Sequence, residues 1–66
     1  MMNIRLNGED RAFDGAETVA ALIDQRKPRP PFAVELNKRL VRHGEYAATP
    51  LKDGDQVEIV TLVGGG

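Results

Sequence analysis

At 66 residues with no cysteine, the chain is one small domain that must hold by apolar packing alone. A domain of this size buries only about 60% of its unfolded surface, so no deep active-site cleft is expected, and disulfides, thiolate metal sites and a thiol nucleophile are all excluded. Nine basic against ten acidic residues leave a formal net charge of -1, which gives no electrostatic footing for nucleic acid or an anionic membrane and points to protein partners.

Along the chain, Met2, Ile4 and Leu6 alternate with Asn3, Arg5 and Asn7, the pattern of a half-buried strand. Asn7-Gly8 followed by Glu9-Asp10 reads as a turn into a second strand over residues 11–14, so the chain opens with a hairpin. Thr18 is a helix cap, and Val19, Leu22 and Ile23 at i, i+3 and i+4 make one buried stripe, with Asp24, Gln25 and Arg26 outside. The helix must stop near Lys27, because Pro28 disfavours helical geometry in the residue before it, and Pro30 and Pro31 keep the connector extended.

Period two resumes at Phe32, Val34 and Leu36. Asn37-Lys38-Arg39 turns the chain into a short Leu40-Val41 strand, whereas residues 44–50 show no sustained period and read as an irregular crossing plugged by Leu51. Asp53-Gly54-Asp55 is a strong turn signal. After it, Val57, Ile59 and Thr61 oppose Glu58, Val60 and Leu62 on the last strand. Met1-Met2 is expected at a strand edge without chemistry. No apolar run approaches the roughly 20 residues of a membrane span and the start lacks a signal-peptide core, so a cytoplasmic protein is expected.

Two strands, one helix and two or three further strands are most economically packed as an α+β domain, a mixed sheet of four to five strands on one helix, because one amphipathic helix covers only one sheet face. A β-grasp, ubiquitin-like fold fits that order. Folds of this kind place the first and last strands side by side in mid-sheet, leaving the other face open to solvent. Residues 1–63 form the body, and residues 64–66 a flexible tail.

That tail is where chemistry is expected. Gly64, Gly65 and Gly66 bury nothing and are costly to order, so folding stability does not account for them. Without a Cβ they fit a slot too narrow for a substituted chain, and would deliver a terminal carboxylate into another protein's active site.

The run Leu51-Lys52-Asp53-Gly54-Asp55-Gln56-Val57-Glu58-Ile59-Val60, closed by Val63-Gly64-Gly65-Gly66, resembles the ThiS family, the bacterial sulfur carriers of thiamine biosynthesis. Leu6-Asn7-Gly8, Thr18-Val19 with Leu22-Ile23, and Val34-Glu35-Leu36-Asn37 agree, so the resemblance covers nearly the whole chain. Residues 27–31 depart from it, being unusually rich in proline and base, and receive no family role.

The resemblance implies a co-substrate rather than an enzyme, with no bound cofactor. A partner adenylating enzyme of the ubiquitin-activating type would use ATP and magnesium to adenylate the Gly66 carboxylate, which is otherwise a poor acyl donor. Sulfur from a cysteine desulfurase persulfide would then displace AMP, leaving a thiocarboxylate that donates sulfur to thiazole synthase. Rival readings are a carrier subunit for molybdopterin synthesis or another sulfur pathway, a ubiquitin-like modifier that forms isopeptides, and a plain interaction domain whose glycines are a flexible end.

In this reading Gly66 is modified and Gly64 and Gly65 thread the partner's channel. Leu62 and Val63 either dock the partner or finish the core. Asp53, Asp55 and Glu58 either meet arginines on the adenylating enzyme or are turn chemistry beside a solvated face. His43, the only histidine, is expected exposed, because a lone imidazole without cysteine makes no ordinary zinc site; no metal site is expected. Pro28-Arg29-Pro30-Pro31 meets a minimal polyproline pattern but reads as a stiff connector. Asp10 with Asp14, and Glu17 with Asp24, read as surface charge, since no cleft would hold them.

Overall fold

The computed structural model describes residues 2–14 and 17–62. Five strands, β1 (Met2–Leu6), β2 (Glu9–Phe13), β3 (Phe32–Leu36), β4 (Arg39–Val41) and β5 (Gln56–Thr61), surround one helix, α1 (Val19–Arg26). They form one mixed sheet in the order β2-β1-β5-β3-β4. The first and last strands lie side by side and parallel at its centre, with Leu6 opposite Val57, while the other neighbouring pairs are antiparallel. This is the expected α+β, β-grasp arrangement.

Local chemistry explains each element. The β1–β2 hairpin closes on Asn7 (φ 50) and Gly8 (φ 82), the pair of positive φ angles that matches the right-handed twist of the flanking strands. Only these two residues make the turn. Glu9 and Asp10, assigned to it from the sequence, are paired in the ladder opposite Leu6 and Arg5. Thr18 caps α1, its Oγ1 accepting from the Ala21 amide at 3.1 Å. Lys27 ends it in the left-handed region at φ 48, donating its amide to the Ile23 carbonyl at 2.8 Å.

Residues read as an irregular crossing are in fact a 3-10 helix, His43–Ala48. Its three-residue period carries too few apolar positions to show as a pattern. Tyr46 is the residue missed there. It is buried, stacks on Phe32 with ring centroids 6.4 Å apart, and meets His43 edge-on at 5.2 Å. The segment beyond is tied to the start of the helix, as Val19 donates to the Thr49 carbonyl and Leu51 to that of Glu17.

The core is Met2, Ile4, Leu6, Val19, Leu22, Val34, Val41, Tyr46, Leu51 and Val57. Met2 is therefore a core residue of the first strand rather than an edge. Only one sheet face is covered: β1 alternates buried and exposed along its whole length. Replacing Thr18 by Ala removes the cap acceptor and is expected to cost about 1 kcal/mol, read as a lower urea midpoint at unchanged slope; an unchanged midpoint would show that the cap contributes nothing.

Candidate functional site

The uncovered sheet face holds the large apolar side chains that the fold leaves in solvent. Among the described residues the large hydrophobics left out of the core are Leu40, 66% exposed, Leu62, 50%, and Val60, 46%. Register explains their grouping. Val60 faces Ala33 across the β3–β5 ladder, and Leu40 faces Glu35 across β3–β4. Leu62 follows Val60 on the same side at period two, and its amide donates to the Pro31 carbonyl at 2.8 Å. Of the two sequence-predicted apolar contacts, Leu62 therefore stands in solvent at the end of β5 and does not finish the core. Val63 and the tail, Gly64, Gly65 and Gly66, lie outside the described residues.

The predicted acids take different positions. The Asp53 carboxylate accepts from the Asn3 amide at 2.7 Å. Asp55 accepts from the Lys52 amide at 2.7 Å and, through its other oxygen, from Asn37 Nδ2 at 3.0 Å. Asn37 in turn accepts from the Gln56 amide at 2.9 Å, so Asp55 clamps the β3–β4 turn to the turn before β5. Both carboxylates serve that end of the sheet. From Gln56 to Leu62 is about 20 Å along an extended strand, so they lie far from the strand's exit.

Glu58 stands elsewhere, exposed on the open face and directly opposite Glu35. Like charges in register oppose strand pairing, and here apolar neighbours, Val60 on one strand and Leu40 on another, flank them. Asp55→Ala is expected to cost about 1–2 kcal/mol by removing two acceptors, whereas Glu58→Gln should leave stability equal or slightly higher. Thermal unfolding of the two variants checks this contrast, and a destabilised Glu58→Gln protein would mean that the carboxylate has an internal partner.

His43 is exposed, and among the described residues no group of three or more His, Cys, Asp or Glu is placed to hold a metal ion. Asp10 pairs with Arg5 at 3.5 Å on the exposed hairpin. Among the described residues no helix is long and apolar enough to cross a membrane.

A mixed sheet with parallel central strands, one covering helix and an open face with exposed apolar side chains leading to the last strand's end defines a small β-grasp domain of the ubiquitin-like class. The sequence matches the ThiS family over residues 4–66, and the chain belongs to that family. It is similar to the sulfur carrier protein ThiS of Thermus thermophilus, with 38% identity over 92% of this chain and 95% of that protein. The crystal structure of the thiamine biosynthesis protein ThiS from Geobacter metallireducens superposes with a TM-score of 0.84 at 35% identity, covering 98% of this chain and all of that one. It is also 41% identical, over 98% of its length, to the thiazole synthase of Paramagnetospirillum magneticum, of which it spans only 20%. The thiazole synthase of Magnetococcus marinus gives 39% identity, again over 20% of that protein.

Proposed function

We propose that this chain carries sulfur on the carboxyl group of Gly66 and delivers it to a thiazole synthase in thiamine biosynthesis. The observation that carries the proposal is that the ThiS likeness extends through Gly66, on a domain whose last strand is followed by Leu62 in solvent. The thiazole synthases that contain a segment similar to this chain support the choice of acceptor.

The chemistry follows from the carboxylate. A Gly66 oxygen attacks the α-phosphorus of magnesium ATP on a separate adenylating enzyme, and pyrophosphate leaves. The terminal sulfur of a persulfide then attacks the acyl carbon and AMP leaves with the bonding pair. A thiol cleaves the resulting acyl disulfide, freeing the thiocarboxylate. Its soft sulfur is the nucleophile that the synthase consumes, and hydrolysis returns the carboxylate. The carrier contributes no acid, base or metal to these steps. It contributes a bare chain end and a surface that orients it.

The open face supplies that surface. Leu62 and Val60 give an apolar contact at the exit of β5, and Glu58 with Glu35 offers two carboxylates to a partner arginine, an arrangement that sets encounter and orientation more than affinity. Asp53 and Asp55, bound within their turn, support it from the far end. The body enters no cell membrane in this scheme, and its partners are cytoplasmic enzymes.

The test incubates the purified chain with a ubiquitin-activating-type adenylating enzyme, magnesium ATP, a cysteine desulfurase and cysteine, followed by intact mass measurement. The expected result is the mass increase of one oxygen-to-sulfur exchange, lost again on adding thiazole synthase and its other substrates. An unchanged mass would overturn the proposal, and larger isopeptide adducts on lysines of other proteins would identify a modifier instead.

A further inference from the structure

The loop that departs from the family pattern is held beside the exit of β5. Phe32 pairs with Thr61, and the Leu62 amide donates to the Pro31 carbonyl at 2.8 Å. The loop, residues 27–31, therefore ends beside the exit of β5. Arg26 at the end of α1, and Lys27 and Arg29 in the loop, are all exposed. The ion pairs among the described residues are Arg5 with Asp10 and Arg11 with Glu9, and neither involves these three. Over residues 24–31 there are three cations, Arg26, Lys27 and Arg29, against one carboxylate, Asp24.

Two features make this more than a solvated charge run. Proline at positions 28, 30 and 31 restricts the backbone between and beyond the cations, so less conformational freedom is lost when a partner engages them. Arg26 and Pro28 also line a hollow of about 180 Å³ together with Asn7, Ile59 and Thr61. Ile59 and Thr61 lie in the second half of β5 on the face that packs toward the helix, so the hollow opens on the helix side of the strand whose other side carries Glu58, Val60 and Leu62. The exit of the tail is thus bordered by base on one side and by acid with apolar residues on the other.

We propose that Arg26, Lys27 and Arg29 are a docking patch for an acidic surface on the adenylating enzyme, and that this patch, with the opposed acids, fixes the rotation in which the tail enters. The inference rests on the sulfur-carrier reading. The adenylating enzyme is the partner because it must find the carrier by diffusion even where a segment similar to this chain and a synthase share one polypeptide, as in the thiazole synthases of which this chain spans a fifth. Linked modules gain effective concentration and need no long-range attraction, whereas a diffusing pair gains rate from complementary charge.

The experiment measures ATP–pyrophosphate exchange by the adenylating enzyme as a function of carrier concentration and salt, for the wild-type chain, Arg26→Gln/Lys27→Gln/Arg29→Gln, and Arg29→Glu alone. Arg29 lies beyond the helix, so its variant separates docking from any loss of helix-end stabilisation. At low salt, KM should rise about tenfold in the triple variant with kcat unchanged. The single charge reversal should raise KM in the same sense, and both differences should shrink as salt screens the encounter. Wild-type KM in both variants at every salt concentration would overturn the patch while leaving the carrier reading intact. Absence of exchange with the wild-type chain would overturn both.

Discussion

Deletion of Gly66 is expected to abolish charging and to leave the unfolding midpoint unchanged. The shortened chain still ends in a glycine carboxylate, so its nucleophile is chemically the same. What changes is reach. One residue of extended chain is about 3.4 Å, and a displacement of about 1 Å at a reacting atom already costs on the order of a hundredfold in rate. A body docked through its sheet face cannot slide forward to compensate, because the contact that orients it also fixes its distance. The core does not depend on the tail, since Val57 is the last buried hydrophobic residue of the described chain. Gly65→Val tests the complementary claim. It keeps the length but adds a branched side chain where a narrow channel needs none, and should also block charging at unchanged stability. Charging of the deletion variant at the wild-type rate would show that the Gly66 carboxyl is not the reacting group, and a clear loss of thermal stability would show that the tail belongs to the fold.

Much of this architecture could be read from residue order, and the parts that could be read share a cause. Met2-Ile4-Leu6, Val19-Leu22-Ile23 and Val57-Ile59 each obey one period over several residues, and burial follows from such periods directly. Asn7-Gly8 and Asp53-Gly54-Asp55 name their turns because few residues tolerate positive φ, as Gly8 and Gly54 do here. The 3-10 segment was illegible because a six-residue element with one buried side chain, Tyr46, offers no repetition. The first and last strands were expected side by side, but the register between β3 and β5 was illegible for a different reason. Nothing in the local sequence says that Glu35 will face Glu58, or that Pro31 will meet Leu62; both follow from how β3 lies against β5. The exposed apolar face and the basic loop at the strand exit are therefore properties of register. The terminal glycines, by contrast, could be singled out as chemistry because no folding argument accounted for them.

Leu22→Ala should cost about 3 kcal/mol, most of what a domain this small possesses, since a core of this size supplies roughly 3–5 kcal/mol. Leu22 is 2% exposed and sits in the middle of α1, whose eight residues are too few to be helical unaided. The helix exists because Val19 and Leu22 pack against the sheet, and Ile23, only half-buried, is a weaker anchor. Truncating Leu22 leaves a void against β1 and β5, whose Leu6 and Val57 belong to the same core cluster. The variant should show a large unfolded fraction at 37 °C by circular dichroism, while Ile23→Ala should lose less. On cooling toward about 15 °C, near the usual maximum of stability, or on adding an osmolyte such as trimethylamine oxide, the folded fraction should recover. Charging should then recover in proportion, with the kcat per folded molecule unchanged, because the open face and the exit of β5 contain none of the altered atoms. If Leu22→Ala instead stayed folded and charged poorly, the helix would be acting on the partner directly, and its role as a scaffold behind the sheet would have to be abandoned.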